Sequence, residues 1–392
     1  MVKRPDRAAT DARQFLKNGE VGNCDLVALS KECDKLIRSE TQRSLQRAVV
    51  MAQRFVEMAQ RQPGMSEEIA YRALGWTLHS SGKYRPAEEA YRKARDIVRR
   101  TPLSRARIDR ILIDVYMYLG DFKESHRRAR LAMSTFRRIG AMEELNKTRV
   151  NYANLFHRQD RHREASRQYQ KAADYFEKHR NDLVLGLCCF NQANTRVQLF
   201  DFEEARELYG KASDLFATLG FDLYVTECQY GQAWIHMLEG DYHVALRDLA
   251  ECEEKYRKAS YAKGIVLCLL DRAEAYLGLN LYADAAAAAR DAEFRSRRLA
   301  IHYEAAKGAF FFAKAAFALG REKEGRAALK RAERGFRKER NQGFLAAVQL
   351  FALQADSDKS GDLSAFQATR KLFSKVQLPL WAAINDIQCL TH

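Results

Sequence analysis

Small side chains recur along this chain at a nearly constant interval of 40 residues. Most of these positions hold alanine, and the full set is Ala87, Ser125, Ala165, Ala205, Ala245, Ala285, Gly325 and Ala365. The first interval is 38 residues and each of the next six is 40. A register kept over so many steps is typical of an internal repeat. The sequence therefore predicts an array of similar units rather than two or three unrelated globular domains.

Each repeat carries the same pattern around its small residue. A ring stands three positions before it in most units and a large apolar residue often stands four after it, as with Tyr84 and Tyr91 around Ala87. The position four residues after the small residue lies on the same face of an α-helix as the small residue itself. Turn formers recur five positions before it: Gly82, Gly120, Asp160, Gly240, Asn280 and Gly320. We therefore expect each unit to be a helix A, a tight turn and a helix B, which must stack on neighbouring units to bury its apolar face.

These residues resemble the tetratricopeptide repeat (TPR) family. The consensus is matched in the first clear unit by Gly75, Leu78, Gly82, Tyr84, Ala87, Tyr91 and Ala94. Family units are usually about 34 residues long. The longer unit here is similar to those of kinesin light chains and of bacterial regulatory proteins, including arrays found with CHAT caspase-like domains. The resemblance implies an all-α fold, a right-handed superhelical TPR-like α-solenoid of about eight to nine helical hairpins, with the helices A lining its concave wall.

The two ends of the chain depart from the repeat, as capping segments do. Residues 1–20 are expected to be a flexible N-terminus, and residues 21–62 a degenerate helical pair that caps the array. Residues 66–375 hold eight TPR-like units. Residues 376–392 are expected to form a C-terminal capping helix.

Composition excludes several classes of protein. Apolar residues make up 47% of the chain and charged residues 30%, which is too apolar for a disordered chain and sufficient for a core. No apolar run of signal-peptide length follows the basic start, and no uncharged apolar stretch of about 18 residues occurs. Eight cysteines are scattered without a Cys-x-x-Cys pair. We expect a cytoplasmic protein that has no membrane partner.

Three of these cysteines are themselves part of the repeat. Cys188, Cys228 and Cys268 occupy one equivalent position in three successive helices A. Neighbouring helices lie about 8–10 Å apart, whereas a disulfide needs Cα atoms within about 7 Å. Small apolar filler is therefore the interpretation, and a metal or redox ladder is the alternative.

Motifs of the common enzyme classes are missing from the sequence. The two glycine-rich motifs that bind nucleotide phosphates, G-x-G-x-x-G and G-x-x-x-x-G-K, are absent from the sequence. The G-x-S-x-G motif of hydrolases and the H-E-x-x-H zinc motif are absent as well. His157 and His162 are five residues apart, not the four that would place two imidazoles on one helical face. A CHAT-type peptidase would need His and Cys on a sheet that a helical chain does not provide. The prediction is a non-enzyme that uses neither a cofactor nor a metal.

The leading candidate site is a row of polar residues on two adjacent helices A. Positions 14, 11 and 7 before the small residue fall on one helical face, and in these two units they are Asn151, Asn154, Arg158, Asn191, Asn194 and Gln198. A carboxamide offers donors and acceptors, so it pairs with the backbone of an extended peptide whatever its side chains. Asparagine is a mediocre helix former. Its recurrence here favours a surface that binds a partner over one that is merely solvated.

Other residues on the same face extend this surface: Arg72, Trp76, Arg110, Trp234, Asp271, Glu274 and Lys314. The TPR family also has a carboxylate clamp, in which cations and asparagines on successive helices A hold a peptide C-terminus. Arg110, Asn151 and Asn191 match that clamp in part. Asp114 and Gly231 stand where the clamp has an asparagine and a cation, so the match is incomplete.

A basic surface supports a different interpretation. The net charge is +15, and between Pro86 and Gly140 there are 14 basic residues against 7 acidic ones. Many of these are expected on the outer helices B: Arg92, Lys93, Arg95, Arg99, Arg100, Arg127, Arg128, Arg130, Arg137 and Arg138. Such a face could follow a nucleic-acid backbone, although no regular row of exposed aromatic rings accompanies it.

We therefore expect a non-catalytic scaffold that binds a peptide segment or helix of a partner protein in its concave groove, within a bacterial regulatory or defence complex. The alternatives are a nucleic-acid-binding solenoid that uses the Arg-rich outer face and a receptor for a signalling peptide. Neither the partner nor the oligomeric state follows from the sequence.

Overall fold

The computed structural model describes residues 7–19, 25–339 and 341–357, and every regular element in these ranges is an α-helix. The helices are α1 (Arg7–Asn18), α2 (Leu26–Arg43), α3 (Leu45–Arg61), α4 (Glu67–Ser80), α5 (Tyr84–Ile97), α6 (Pro102–Leu119), α7 (Phe122–Arg138), α8 (Met142–Arg158), α9 (His162–Lys178), α10 (Asp182–Gln198), α11 (Phe202–Thr218), α12 (Asp222–Glu239), α13 (Tyr242–Lys258), α14 (Ala262–Gly278), α15 (Tyr282–Arg298), α16 (His302–Ala318), α17 (Glu322–Lys338) and α18 (Gln342–Ser357). The all-α prediction is confirmed for these residues. No described helix combines the length and apolar character that crossing a membrane requires.

From Gly120 to Gly320 the turns between helices follow one another every 20 residues. Each of these turns contains a residue with positive φ: Gly120, Gly140, Asp160, Arg180, Phe200, Gly220, Gly240, Ser260, Asn280, Ala300 and Gly320. At the first of them, Gly120 N–H donates to the Met117 carbonyl at 3.2 Å and Asp121 N–H to the Tyr116 carbonyl at 3.0 Å. These bonds satisfy the last carbonyls of the helix. Each 40-residue unit is thus two similar halves.

The chain divides into two compact units, unit 1 (Met1–Leu208) and unit 2 (Tyr209–His392). In unit 1 the repeat forms antiparallel hairpins, α4 with α5, α6 with α7 and α8 with α9, and α10 packs on α9. Neighbouring helices A also touch, since α6 contacts α8 and α8 contacts α10. Near the N-terminus, α2 and α3 pack on each other and on α4.

The expectation of a flexible segment over residues 1–20 is wrong for residues 7–18, which form α1. Ala12, Phe15 and Leu16 lie at helical spacing and are at most 5% exposed. Their stripe packs on α2 and α3, and the Phe15 ring lies 6.5 Å from that of Phe55. This burial of apolar surface stabilises the helix.

The small and aromatic residues of the repeat pack as the pattern predicts. Ala87 and Ala165 are fully buried, and Tyr91 and Tyr169 are 1% and 2% exposed. The ring of Tyr91 lies so close to Gly75 that a Cβ there would come within 2.8 Å of it. The glycine is therefore what allows helix A and helix B to approach.

Unit 2 repeats this arrangement in the hairpins α12–α13, α14–α15 and α16–α17, followed by α18. Successive hairpins are joined by an ion pair, in which Arg331 donates to both carboxylate oxygens of Glu293 at 2.8 and 3.0 Å. Cys228 and Cys268 are fully buried, as is Cys188 in unit 1, and none of the three forms a disulfide with a described residue. They serve as small apolar filler, as predicted.

Helix α18 supplies helix A of the eighth predicted unit, while Ala365 and the predicted capping helix over 376–392 lie outside the described residues.

Candidate functional site

A pocket of about 660 Å³ opens in unit 1 among helices α6, α8 and α10 and the start of α9. Five of the six residues in the predicted polar row line it. The complete lining is Met117, Tyr118, Phe122, Asn154, His157, Arg158, Asp160, His162, Tyr169, Asn191, Asn194 and Gln198. The repeat itself produces this convergence, because equivalent positions on stacked helices A project from the same face.

The amides of α10 form one side of the pocket. Asn191 is half-buried and Gln198 is exposed; neither side chain has a hydrogen-bond partner within the described ranges. Asn194 lies between them, one helical turn from Asn191. Their donors and acceptors can pair with the peptide groups of a ligand, each pairing contributing about 0.5–1.5 kcal/mol net.

The facing amide, Asn154 on α8, is held by a buried tyrosine. The Tyr169 hydroxyl donates to Asn154 Oδ1 at 2.5 Å, which fixes the amide with its oxygen toward α9. Burial raises the pKa of the Tyr169 hydroxyl above its ordinary value, so it acts as a donor at neutral pH. The NH₂ group of Asn154 has no partner among the residues described and is the part that a ligand can use.

Arg158 contributes a positive charge at the rim. Its guanidinium carbon lies 5.3 Å from the centre of the Tyr118 ring, and that ring stacks on Tyr84 at 4.8 Å with an interplanar angle of 4°. No carboxylate in the described part of the chain pairs with Arg158. The aromatic stack therefore positions a cation that is available to an acidic group of a partner.

His157 and His162 lie together in this pocket, although their spacing of five residues does not place them on one face of a helix. The rings of His157 and His162 are 5.0 Å apart, because the chain reverses between α8 and α9 and brings the second ring back over the first. His157 Nδ1 lies 3.1 Å from the Thr195 hydroxyl. Burial, reinforced by the neighbouring His162, lowers the pKa of His157 to about 4, and burial also lowers the pKa of His162. Both imidazoles are neutral at pH 7. In the sequence, the contact between the two rings was indicated only by the place of His162 at the ring position of the repeat.

Asn151, the first member of the predicted row, does not line the pocket. Its amide donates to Asp114 Oδ2 on α6 at 2.7 Å. Arg110 is also engaged, since its guanidinium lies 3.5 Å from a Glu144 carboxylate oxygen. These two residues hold α6 against α8 rather than facing a ligand.

The remaining predicted residues lie elsewhere. Arg72 pairs with Glu68 at 2.8 Å on α4. Trp76 is 39% exposed, with the Arg38 guanidinium 4.7 Å from its ring centre. Trp234 belongs to unit 2, where the Lys307 ammonium lies 5.7 Å from its ring centre.

The Arg-rich outer face is partly neutralised. Asp109 is 2% exposed and accepts hydrogen bonds at 2.7 Å from both Arg95 and Arg128. Arg127 donates to both oxygens of Glu124 at 2.7 and 2.6 Å. These arginines stabilise contacts within unit 1, and their charge is less available to a phosphate backbone.

One group of residues in the described ranges has the composition of a metal site. Single ligand atoms of His236, Glu239 and Asp241 lie within 4.8 Å of one another. Both carboxylates are exposed, and this turn of unit 2 is not part of the pocket.

Comparison with known proteins gives a clear result only at the level of structure. No family model matches the sequence, and no curated protein matches it. The quorum sensor NprR from B. thuringiensis, in its apo form, superposes with a TM-score of 0.60 and 11% identity over 84% of this chain and 97% of that one. A Rap protein complexed with competence and sporulation factor gives 0.57 and 12% over 83% and 97%.

A signal-transduction ATPase (STAND protein) with a TPR sensor from Pyrococcus horikoshii gives a TM-score of 0.59 and 13% identity over 88% of this chain. The chain spans about half of that protein, 55% of its length. At such low identities these likenesses show the fold alone. They define a helical-repeat protein, and its hairpins, consensus residues and neighbours make it a TPR-like one. The similarity to arrays associated with CHAT domains stays a prediction.

Proposed function

We propose that this chain is a non-catalytic interaction protein that captures an extended peptide segment of a protein partner in the unit 1 pocket. The observation that carries the proposal is the set of amides at Asn154, Asn191 and Gln198 that face one cavity with unused hydrogen-bonding groups. Four or five such bonds with some apolar burial correspond to roughly micromolar affinity. Arg158 adds a preference for a segment with an acidic residue near its end.

The solved neighbours support this class of function without naming a partner. One is described as a quorum sensor, and another was solved in complex with competence and sporulation factor. A signalling-peptide receptor is therefore the second candidate, distinguished from a scaffold by the size of the ligand. In either case we place the chain in a bacterial regulatory or defence complex.

The nucleic-acid alternative has less support, because several arginines of the outer face are paired within the chain. It predicts affinity that falls steeply with salt as counterions are released. Absence of retention on DNA and RNA at about 50 mM salt would remove it.

The proposal is tested by selecting binders for the full chain from a displayed library of random peptides and measuring the selected peptide by fluorescence anisotropy. The double variant Asn191→Ala, Gln198→Ala should weaken binding at least tenfold, since two hydrogen bonds worth about 1 kcal/mol each are lost. Asn151 is left unchanged because its amide serves Asp114. The control is Gln229→Ala in unit 2, whose amide accepts from Lys255 at 2.7 Å and which should bind normally.

Circular dichroism should show the same helix content in all three proteins. Selected peptides that bind wild type and the double variant equally would show that the amides do not form the site. A library that yields no binder for wild type would remove the proposed function itself.

A further inference from the structure

Two lysines on α16 lie on the same helical face and have opposite environments. Lys307 and Lys314 are seven residues apart, which is two helical turns. The Lys307 ammonium lies 3.6 Å from an Asp271 oxygen and 3.5 Å from a Glu274 oxygen. Although burial lowers the pKa of Lys307, these two carboxylates raise it above its ordinary value. Lys307 is therefore a partly buried cation with its charge matched.

Lys314, in contrast, has no carboxylate partner among the described residues. Its ammonium lies 5.7 Å from the centre of the Phe310 ring, and no carboxylate among the residues described pairs with it. Burial lowers the pKa of Lys314, and the negative charge of Glu274 only partly opposes this. An ammonium that loses hydration without gaining a partner destabilises the fold.

The side chain of Lys314 opens into a cavity of about 890 Å³ in unit 2. The cavity lies between the end of α16, the start of α17 and the far part of α18. Phe317 and Phe351 supply an apolar floor, with their rings 5.7 Å apart. Arg321 and Lys323 stand at the rim, are exposed, and have no ion-pair partner in the described ranges. Two carboxylates also line this rim, Glu322 and Glu324, and Glu324 is held by Arg290 at 3.2 Å.

The geometry points to a second ligand site here, which binds an organic carboxylate that also carries an apolar or aromatic group. The carboxylate would pair with the Lys314 ammonium, and the apolar group would cover Phe317 and Phe351. Charge complementarity selects this class, because the inward cation is unmatched and the floor is aromatic. The volume is in the range of small-ligand pockets, roughly 300–1,000 Å³. The C-terminal residue of a bound peptide has this chemistry. The site does not depend on the unit 1 pocket.

The first test concerns stability. Lys314→Met keeps the apolar stem and removes the charge, so the melting temperature of the full chain should rise by about 2–4 °C, the shift that roughly 1 kcal/mol produces in domains of this size. Lys307→Met, the control on the same face, should lower the melting temperature because it leaves Asp271 buried without its cation. Lys323→Met at the rim should leave it unchanged. A fall for Lys314→Met would mean that the ammonium already has a partner in the native chain, which overturns the proposal.

The second test uses N-acetyl-phenylalanine as the probe, with N-acetyl-phenylalaninamide as its neutral counterpart and sodium chloride to match ionic strength. The acid should raise the melting temperature of wild type in a dose-dependent way and bind in calorimetry at least tenfold more tightly than the amide. Lys314→Met should lose this response, and Lys323→Met should retain most of it. No response, an equal response to acid and amide, or an unchanged response in Lys314→Met each overturns the assignment.

Discussion

The amide of Asn151 on α8 donates a 2.7 Å hydrogen bond to Oδ2 of Asp114 on α6. The other oxygen, Oδ1, is buried and has no hydrogen-bond partner among the residues described. Burial raises the pKa of Asp114 to about 7, against the opposing effects of Arg110 and Asn151. A carboxyl group that titrates near neutral pH therefore lies close to the unit 1 pocket, and it is hydrogen-bonded to the first amide of the predicted row.

This relationship predicts how Asp114→Asn changes stability with pH. The folded pKa is raised from 3.8 to about 7, so between these values the folded state holds a proton that the unfolded state releases. The free energy of unfolding therefore falls as pH rises through that window. The variant lacks this penalty and should be more stable than wild type at pH 8, by about 1–3 kcal/mol after allowance for residual exposure. Near pH 4 the two should be nearly equal.

Urea unfolding at pH 4, 6 and 8 measures the effect, with Asp284→Asn, the same change at an exposed position, as the control. A variant that is less stable than wild type at pH 8 would contradict the prediction, because it would mean that the charged carboxylate contributes favourably.

His157 should produce the opposite dependence. Its pKa is lowered from 6.5 to about 4, so on acidification the unfolded chain takes up a proton before the folded one does. Stability is therefore lost as pH falls from 6.5 toward 4. His157→Asn keeps a polar group near Thr195 and removes the titration. It should reduce the loss of unfolding free energy at the acid end of this window by about 1–3 kcal/mol, which thermal unfolding at pH 4 and pH 6.5 records as a smaller fall in melting temperature.

His162 faces His157 and burial lowers its pKa as well, so part of the acid sensitivity should remain in the variant. The exposed His243→Asn is the matched control. If His157→Asn loses as much stability on acidification as wild type and the His243→Asn control do, the buried imidazole is not the group responsible.

The fold was predictable because its information is local and repeated. Ala87 and Tyr91 recur in equivalent form in unit after unit, and a helical hairpin follows from such spacing. Turns from helix B to the next helix A were not recognised, because residues such as Arg180 and Ala300, which have positive φ there, are not typical turn formers. Their backbone is imposed by the packing of the helices on either side.

The pocket was predictable only in part, for a different reason. Position along a helix A placed Asn191 and Gln198 on the face that lines the pocket, and neither amide has a hydrogen-bond partner among the described residues. The same rule could not show that Asn151 would be used by Asp114, a residue 37 positions away on the neighbouring helix. Nor could helical spacing bring His162 to His157, because the contact depends on the reversal of the chain.

Gly75 should not tolerate a methyl group. A Cβ at this position would lie 2.8–2.9 Å from three atoms of the Tyr91 ring, and that ring is 1% exposed and cannot move aside. Gly75→Ala should therefore destabilise unit 1 by about 1–3 kcal/mol, as overpacking does.

The matched control is Gly210→Ala, also within a helix, where a Cβ meets nothing within 4 Å. This change should stabilise by about 0.5–1 kcal/mol, because alanine loses less backbone entropy in a helix. Chemical unfolding of both variants measures the difference, and equal effects would show that contact with Tyr91 is not what requires glycine at position 75.

Phe200 has a left-handed backbone conformation, which is unfavourable for a residue that carries a Cβ. It has φ of 58° and is 64% exposed, with an edge contact to the Phe202 ring at 5.9 Å. The left-handed conformation costs a residue with a Cβ about 1–2 kcal/mol. Phe200→Gly should thus raise the free energy of unfolding by about 1 kcal/mol, less the entropy that glycine loses. Gly240→Ala, at φ of 85° with nothing near its Cβ, should lower it by a similar amount. Thermal and urea unfolding of both variants give the comparison. A loss of stability in Phe200→Gly would show that the contact with Phe202 outweighs the backbone strain.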